Sequence, residues 1–146
     1  MIQTSIPFLR RDQMISIICH TTAHENQRYP TLGDWFEQEG TLQIRASRVN
    51  NHDYEALIFL HELVESLLCR KRGISEADVD AFDTQFEDTR PAGDESSPGD
   101  STKAPYYKEH QFATCVERLM AHELGVDWND YERDLNKFLE EREVRF

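Results

Sequence analysis

The stretch YEALIFLHELVESLLCRKR, from Tyr54 to Arg72, decides how the rest of the chain is read. Leu57, Leu60, Val64, Leu67 and Leu68 recur in it at helical spacing and mark a buried stripe. Asn51 or Asp53 supplies an N-cap and Gly73 a stop, so the spacing predicts a helix over 54–72, with His52 at its start and Arg70, Lys71 and Arg72 complementing the dipole at its end. Inside this helix His61-Glu62-Leu63-Val64-Glu65 forms an HExxE pattern. At about 100° per residue, His61 and Glu65 stand one turn apart on the same face, bordered by Leu57, Val64 and Leu68. Two donors on a rigid helix, beside an apolar wall, are what a metal site needs. Glu62, from the same turn, is placed to act as general base on a water that the metal activates. A His-Glu pair that merely hydrogen-bonds on a helix surface needs only the same spacing, so the metal reading depends on a further ligand.

That ligand is sought downstream. Ser75 opens a second, shorter helix with Val79, Phe82 and Phe86 as its apolar face. From Gly73 to Asp100 there are nine Asp and Glu against one Arg, and residues 90–105 are rich in Pro, Gly, Ser and Asp. This composition predicts a mobile surface loop, either a lid or plain disorder. A third helix begins at Tyr106 or Tyr107 and runs to Leu124, where Gly125 ends it. His110 and Glu117 are seven residues apart and share a face within about 20°. The small residues Ala113, Thr114 and Ala121 lie near that face, while Phe112, Val116, Leu119 and Met120 form the greasier side. Packing of this helix on the first would give the metal set His61, Glu65 and His110, a His2Glu combination used by zinc hydrolases. Glu117 then serves as a fourth ligand or orients His110. Glu109 competes with His110, but its bearing is about 100° away. A last amphipathic helix starts at Asp127 or Asn129, with Tyr131, Leu135, Phe138 and Leu139 facing inward.

Upstream, MISIIC (Met14 to Cys19) is an apolar run of the length of a buried strand, and Trp35-Phe36 precede a turn at Glu39-Gly40. Thr41 to Ser47 alternates, with Leu42, Ile44 and Ala46 on one face, which predicts a half-buried strand in a hairpin with Trp35-Phe36. The expected architecture is a single α+β domain over 1–146. A short two- to three-stranded antiparallel sheet packs on the HExxE helix and two to three further helices.

Composition excludes several function classes. With 146 residues, 38% of them hydrophobic and 30% charged, the chain suits one domain with one core. Sixteen Lys and Arg against 28 Asp and Glu give a net charge of -12, a field that repels phosphate, so no nucleic-acid partner is expected. No apolar run approaches the roughly 20 residues of a membrane span, and no secretory leader is legible, which points to the cytoplasm. Cys19, Cys69 and Cys115 are odd in number and contain no CxxC, so reduced and mostly buried thiols are expected. No GxGxxG, P-loop or GxSxG motif occurs. His122-Glu123 meets Val126 where a ligand should stand, and His20 and His24 lie in a polar stretch that reads as a loop. A magnesium-dependent nucleotide hydrolase would need clustered carboxylates, and two His suit magnesium poorly.

The order of strand, hairpin strand and HELVE helix resembles the zincin metallopeptidases in small form, with Thr41 to Ser47 standing where their edge strand lies. More specifically, RYPTLGDW, GTLQIRASR, HELVE, APYYKEHQFA and ELGVDW look like a family of small uncharacterised proteins encoded by bacteriophages and prophages. The likeness covers about Tyr29 to Tyr131. It implies a phage origin and a bacterial cytoplasm, and it brings no established activity. In the zincin pattern His61 matches the first metal ligand and Glu62 the general base, whereas Glu65 stands where a second His is usual. A carboxylate there adds negative charge and widens the metal choice from zinc to manganese or iron. The resemblance thus implies a zinc-dependent hydrolase acting on a peptide or protein substrate. The alternative is a non-catalytic, metal-stabilised phage protein that binds a host or phage protein through its acidic surface.

Overall fold

The computed structural model describes residues 16–143, in the order β1 (Ser16–Thr22), β2 (Gly33–Gln38), β3 (Thr41–Ser47), α1 (His52–Lys71), α2 (Glu76–Asp88), α3 (Tyr107–Glu123) and α4 (Trp128–Glu143). The architecture is α+β. Met14 and Ile15 of the expected first strand lie outside the described residues.

The hairpin forms where the alternation placed it. Gln38 pairs with Thr41, so only Glu39 and Gly40 turn the chain, both at positive φ (51° and 77°), the conformation a two-residue hairpin requires. The sheet is mixed, which corrects the antiparallel expectation. Its order is β1-β3-β2, and β1 runs parallel to β3, with Cys19 opposite Ile44. Two reversals make a parallel pair: the chain leaves β1, descends through β2 at the far edge, then returns as β3 between them. No crossover helix is needed. Leu42, Ile44 and Ala46 are buried, with exposures of 3%, 0% and 0%. β1 departs from the buried strand that its apolar run suggested, since Ile17 and Ile18 are 40% and 47% exposed.

All four helices stop and start near their sequence signals. Asn51 Oδ1 accepts from the Tyr54 amide (3.1 Å), Ser75 Oγ from Asp78 (3.1 Å) and Asp127 Oδ1 from Asp130 (2.9 Å). Gly73 ends α1 at φ 73°. The buried face of α1, however, is turned by roughly 100° from the leucine stripe. Glu55, Leu57, Ile58, His61, Glu65, Ser66 and Cys69 are buried, whereas Leu60, Val64 and Leu68 are half-buried and Leu67 is exposed. The HExxE residues therefore occupy the middle of the buried face. Cys69 is buried as expected, but Cys19 and Cys115 are exposed, Cys19 on the edge strand β1 and Cys115 on the unused apolar side of α3.

Two apolar clusters result. Trp35, Leu42, Ile44, Cys69, Val79, Ala104 and Tyr106 form one, and Ala46, Leu57, Ile58, Ala121, Tyr131 and Leu135 the other. Arg28 ties the sheet to α2, gripping Asp34 with two bonds (2.7 and 2.9 Å) and Asp80 with two more (2.9 and 3.2 Å). The Asp34 carboxylate is only 2% exposed, so Arg28→Ala strands a buried charge. The expected loss is about 3 kcal/mol in urea unfolding, the usual cost of breaking a buried pair on one side. A loss below about 1 kcal/mol would show the pair to be solvated like a surface one.

Candidate metal centre

Helices α1 and α3 pack antiparallel, and the contact is polar at its centre. The pairings show the direction: His61 meets Glu117, Glu65 meets His110, and Arg72 meets Glu109 (2.7 Å). Ala113 and Ala121 are fully or nearly fully buried on α3, and their small side chains let the two backbones approach.

Three ligand atoms converge there. His61 Nε2 lies 3.2 Å from Glu65 Oε2 and 3.1 Å from His110 Nδ1, and His110 Nδ1 lies 3.0 Å from Glu65 Oε2. Ligands about 2.0–2.1 Å from a tetrahedral metal stand about 3.3 Å apart, so the cluster can hold a metal ion with little adjustment. The outer atom of every ligand is fixed by a different partner. His61 Nδ1–H donates to Glu117 Oε1 (2.8 Å), and Tyr131 holds the other Glu117 oxygen (2.6 Å). His110 Nε2–H donates to Asp100 Oδ1 (3.1 Å), which also accepts from Gln111 (3.2 Å). Trp35 Nε1–H donates to Glu65 Oε1 (3.1 Å). When both imidazoles are neutral and donate outward, the form that binds a cation, the inner atoms are three acceptors pointing at one another. Buried lone pairs in that arrangement are satisfied by a shared cation. Trp35 belongs to one apolar cluster and Tyr131 to the other, so the centre is anchored to both.

The electrostatics follow. Burial works against a charged His61, but its hydrogen bonds to Glu117 and Glu65 outweigh this and hold its pKa well above the usual imidazole value. His110 is raised for the same reasons, by Asp100 and Glu65 against burial. Burial would raise Glu65, yet His110 and His61 bring it down to about 2. A metal entering this site displaces protons that the same acceptors attract.

Glu62 belongs to the neighbourhood but not to the ligand set. Burial and the charge of Glu65 push its carboxyl well above the usual range, with His61 opposing. Among the described residues its carboxylate has no hydrogen-bond partner. Gly33 makes room for it: a Cβ there would meet Glu62 Oε1 at 2.6 Å and Ile58 Cγ2 at 2.8 Å.

The sequence-derived set His61, Glu65 and His110 is thus brought together. Glu117 binds His61 rather than orienting His110, and Glu109 is taken by Arg72. His122 is exposed, His20 Nε2 accepts from Arg45 (3.0 Å) and His24 bonds Ser47 (2.9 Å), all outside the centre. Sequence reasoning missed Trp35, Tyr131, Asp100 and Gly99. It also missed Asp83, a buried carboxyl between the Tyr29 (3.0 Å) and Tyr106 hydroxyls, whose pKa burial raises to about 7. The segment over 90–105 carries Asp100 and the buried Gly99, which lies against the His110 ring, and is seated by buried Ala104. No helix of the described residues is long and apolar enough to cross a membrane.

Compared with models of protein families, with curated proteins and with solved structures, the chain matches none.

Proposed function

We propose that the protein is a zinc-dependent hydrolase of minimal, zincin-like form, acting on a peptide or protein substrate. One observation carries the reading: three inward-facing ligand atoms from α1 and α3 lie 3.0–3.2 Å apart, and the side chain of each is held by a further hydrogen bond. Two His and one carboxylate suit zinc, with manganese or iron as the alternatives a carboxylate permits. Three protein ligands among the described residues leave a fourth position for water or substrate, the pattern of catalytic rather than structural zinc. A metal held there polarises a carbonyl and makes water easier to deprotonate. Glu62 takes the proton from the attacking water and passes it to the leaving amine, and burial raises its carboxyl above the usual range, which favours its holding that proton between the two steps. Glu117, Asp100 and Trp35 keep the three ligand side chains in place while this happens.

The test is Glu62→Gln assayed against a quenched fluorescent peptide library with zinc, manganese or iron supplied. The expected result is full metal retention with hydrolysis reduced by at least about 100-fold, the usual scale for losing a general base. Equal loss of metal in Glu62→Gln and in a ligand variant would overturn the assigned roles.

A second reading has an observation of its own. A peptide laid along β2 would need that strand's outward amides, yet Glu76 accepts from the Glu37 amide (3.0 Å). Edge donors occupied by carboxylates discourage strand addition. This favours a metal-stabilised protein that binds a phage or host protein through its acidic surface, and a metal-loaded wild type inactive on the whole library would bring that reading forward.

A further inference from the structure

Helix α3 has two apolar sides, and the fold uses one. Ala113, Glu117 and Ala121 are buried, whereas Phe112 is 55%, Leu119 71% and Met120 42% exposed, and Cys115 is exposed beside them. At about 100° per residue, Phe112, Cys115, Val116 and Leu119 form one stripe, turned roughly 120° from the buried face. Contiguous exposed apolar residues of this kind mark an interaction surface.

We infer that this stripe is where a second copy of the chain docks, α3 against α3, in an antiparallel two-fold pair. The stripe is complementary to itself when the axis passes between Cys115 and Val116. Phe112 then faces Leu119 of the second copy, the two Cys115 meet on one flank of the axis and the two Val116 on the other, and the exposed Lys108 stands at the level of the exposed Glu123. The symmetry repeats the Phe-Leu and Lys-Glu pairs, so each occurs twice. A parallel arrangement would instead set Lys108 against Lys108 and Glu123 against Glu123. The charge match selects a second copy over an unrelated partner. It also offsets, where the copies touch, the repulsion between two chains of net charge -12. His110 and Glu117 face α1, so docking leaves the metal centre untouched.

Sedimentation of the full chain at tens of micromolar tests this. Wild type is expected to run as a dimer, and Phe112→Glu and Leu119→Glu as monomers with unchanged metal content and circular dichroism. In a Cys19→Ala background, diamide oxidises two Cys115 thiols to an intermolecular disulfide, itself taking up the two electrons and two protons. A covalent dimer is expected there, and none in Cys115→Ala. A wild type that stays monomeric at hundreds of micromolar overturns the inference. Rapid reaction of Cys115 with a thiol reagent would then point to a different protein as occupant, and slow reaction to a segment of the same chain. A dimer that survives Leu119→Glu and does not cross-link at Cys115 overturns it as well.

Discussion

Zinc at about a thousand times its Kd raises the melting temperature of the metal-free protein by about 12 °C, and His61→Ala abolishes the rise. The size follows from linkage: a ligand bound only by the folded state at that excess adds about 4 kcal/mol. A chain of this length gains about 3 °C per kcal/mol. The sign follows from the centre itself. Without metal, His61 Nε2, His110 Nδ1 and Glu65 Oε2 are packed within 3.2 Å of one another, a triangle that exists only in the folded chain and so ties the cation to that state. His61→Ala removes a ligand from the middle of the set and leaves Glu117, only 8% exposed, with Tyr131 as its remaining partner. Differential scanning calorimetry with chelator, then with added zinc, reads both effects. An unchanged wild-type melting temperature would mean that the three acceptors are satisfied without a cation.

Gly99→Ala is expected to weaken metal binding by about 10- to 100-fold, the usual range for disturbing the groups that hold a ligand in place. The glycine is needed for space. A methyl group at 99 falls well inside contact distance of His110 Cγ, Nδ1 and Cδ2, and Nδ1 is one of the three converging ligand atoms. The ring cannot simply swing aside, because its Nε2–H is bonded to Asp100, the next residue along. Either the Asp100 bond breaks or the ligand atom moves, and both spoil the donor triangle. Competition against a chromogenic chelator measures the change, with Ser97→Ala as the neighbouring control. Equal affinities in the two variants would show that the segment yields without moving His110.

Much of this centre was legible in the sequence, and the reason is spacing. His61 and Glu65 are one turn apart, and His110 and Glu117 two turns, so helical geometry alone puts each pair on a face. What held those faces was not legible. Trp35 comes from a strand, Asp100 and Gly99 from an irregular segment, and Tyr131 from the last helix; none has a periodic relation to the ligands. The α1 stripe was misplaced for a related reason. Apolar periodicity tracks where leucines stand, whereas this helix buries Glu55, His61, Glu65 and Ser66 by giving them polar partners. Likewise, the parallel β1–β3 pair depends on which edge β2 takes, which no local pattern in MISIIC or TLQIRAS encodes.

Glu65 and His110 are 45 residues apart in the chain, and all of α2 hangs in the loop between them. A metal joining them acts as a clasp whose loop-closure cost, on the order of 3 kcal/mol for that length, falls on the act of folding. Once closed, the clasp divides the molecule into regions of unequal lifetime. Amides of α1 and α3 beside the clasp are then expected to open only when the ion leaves, whereas those of α2, anchored through Asp80 and Asp83 instead, open without releasing it.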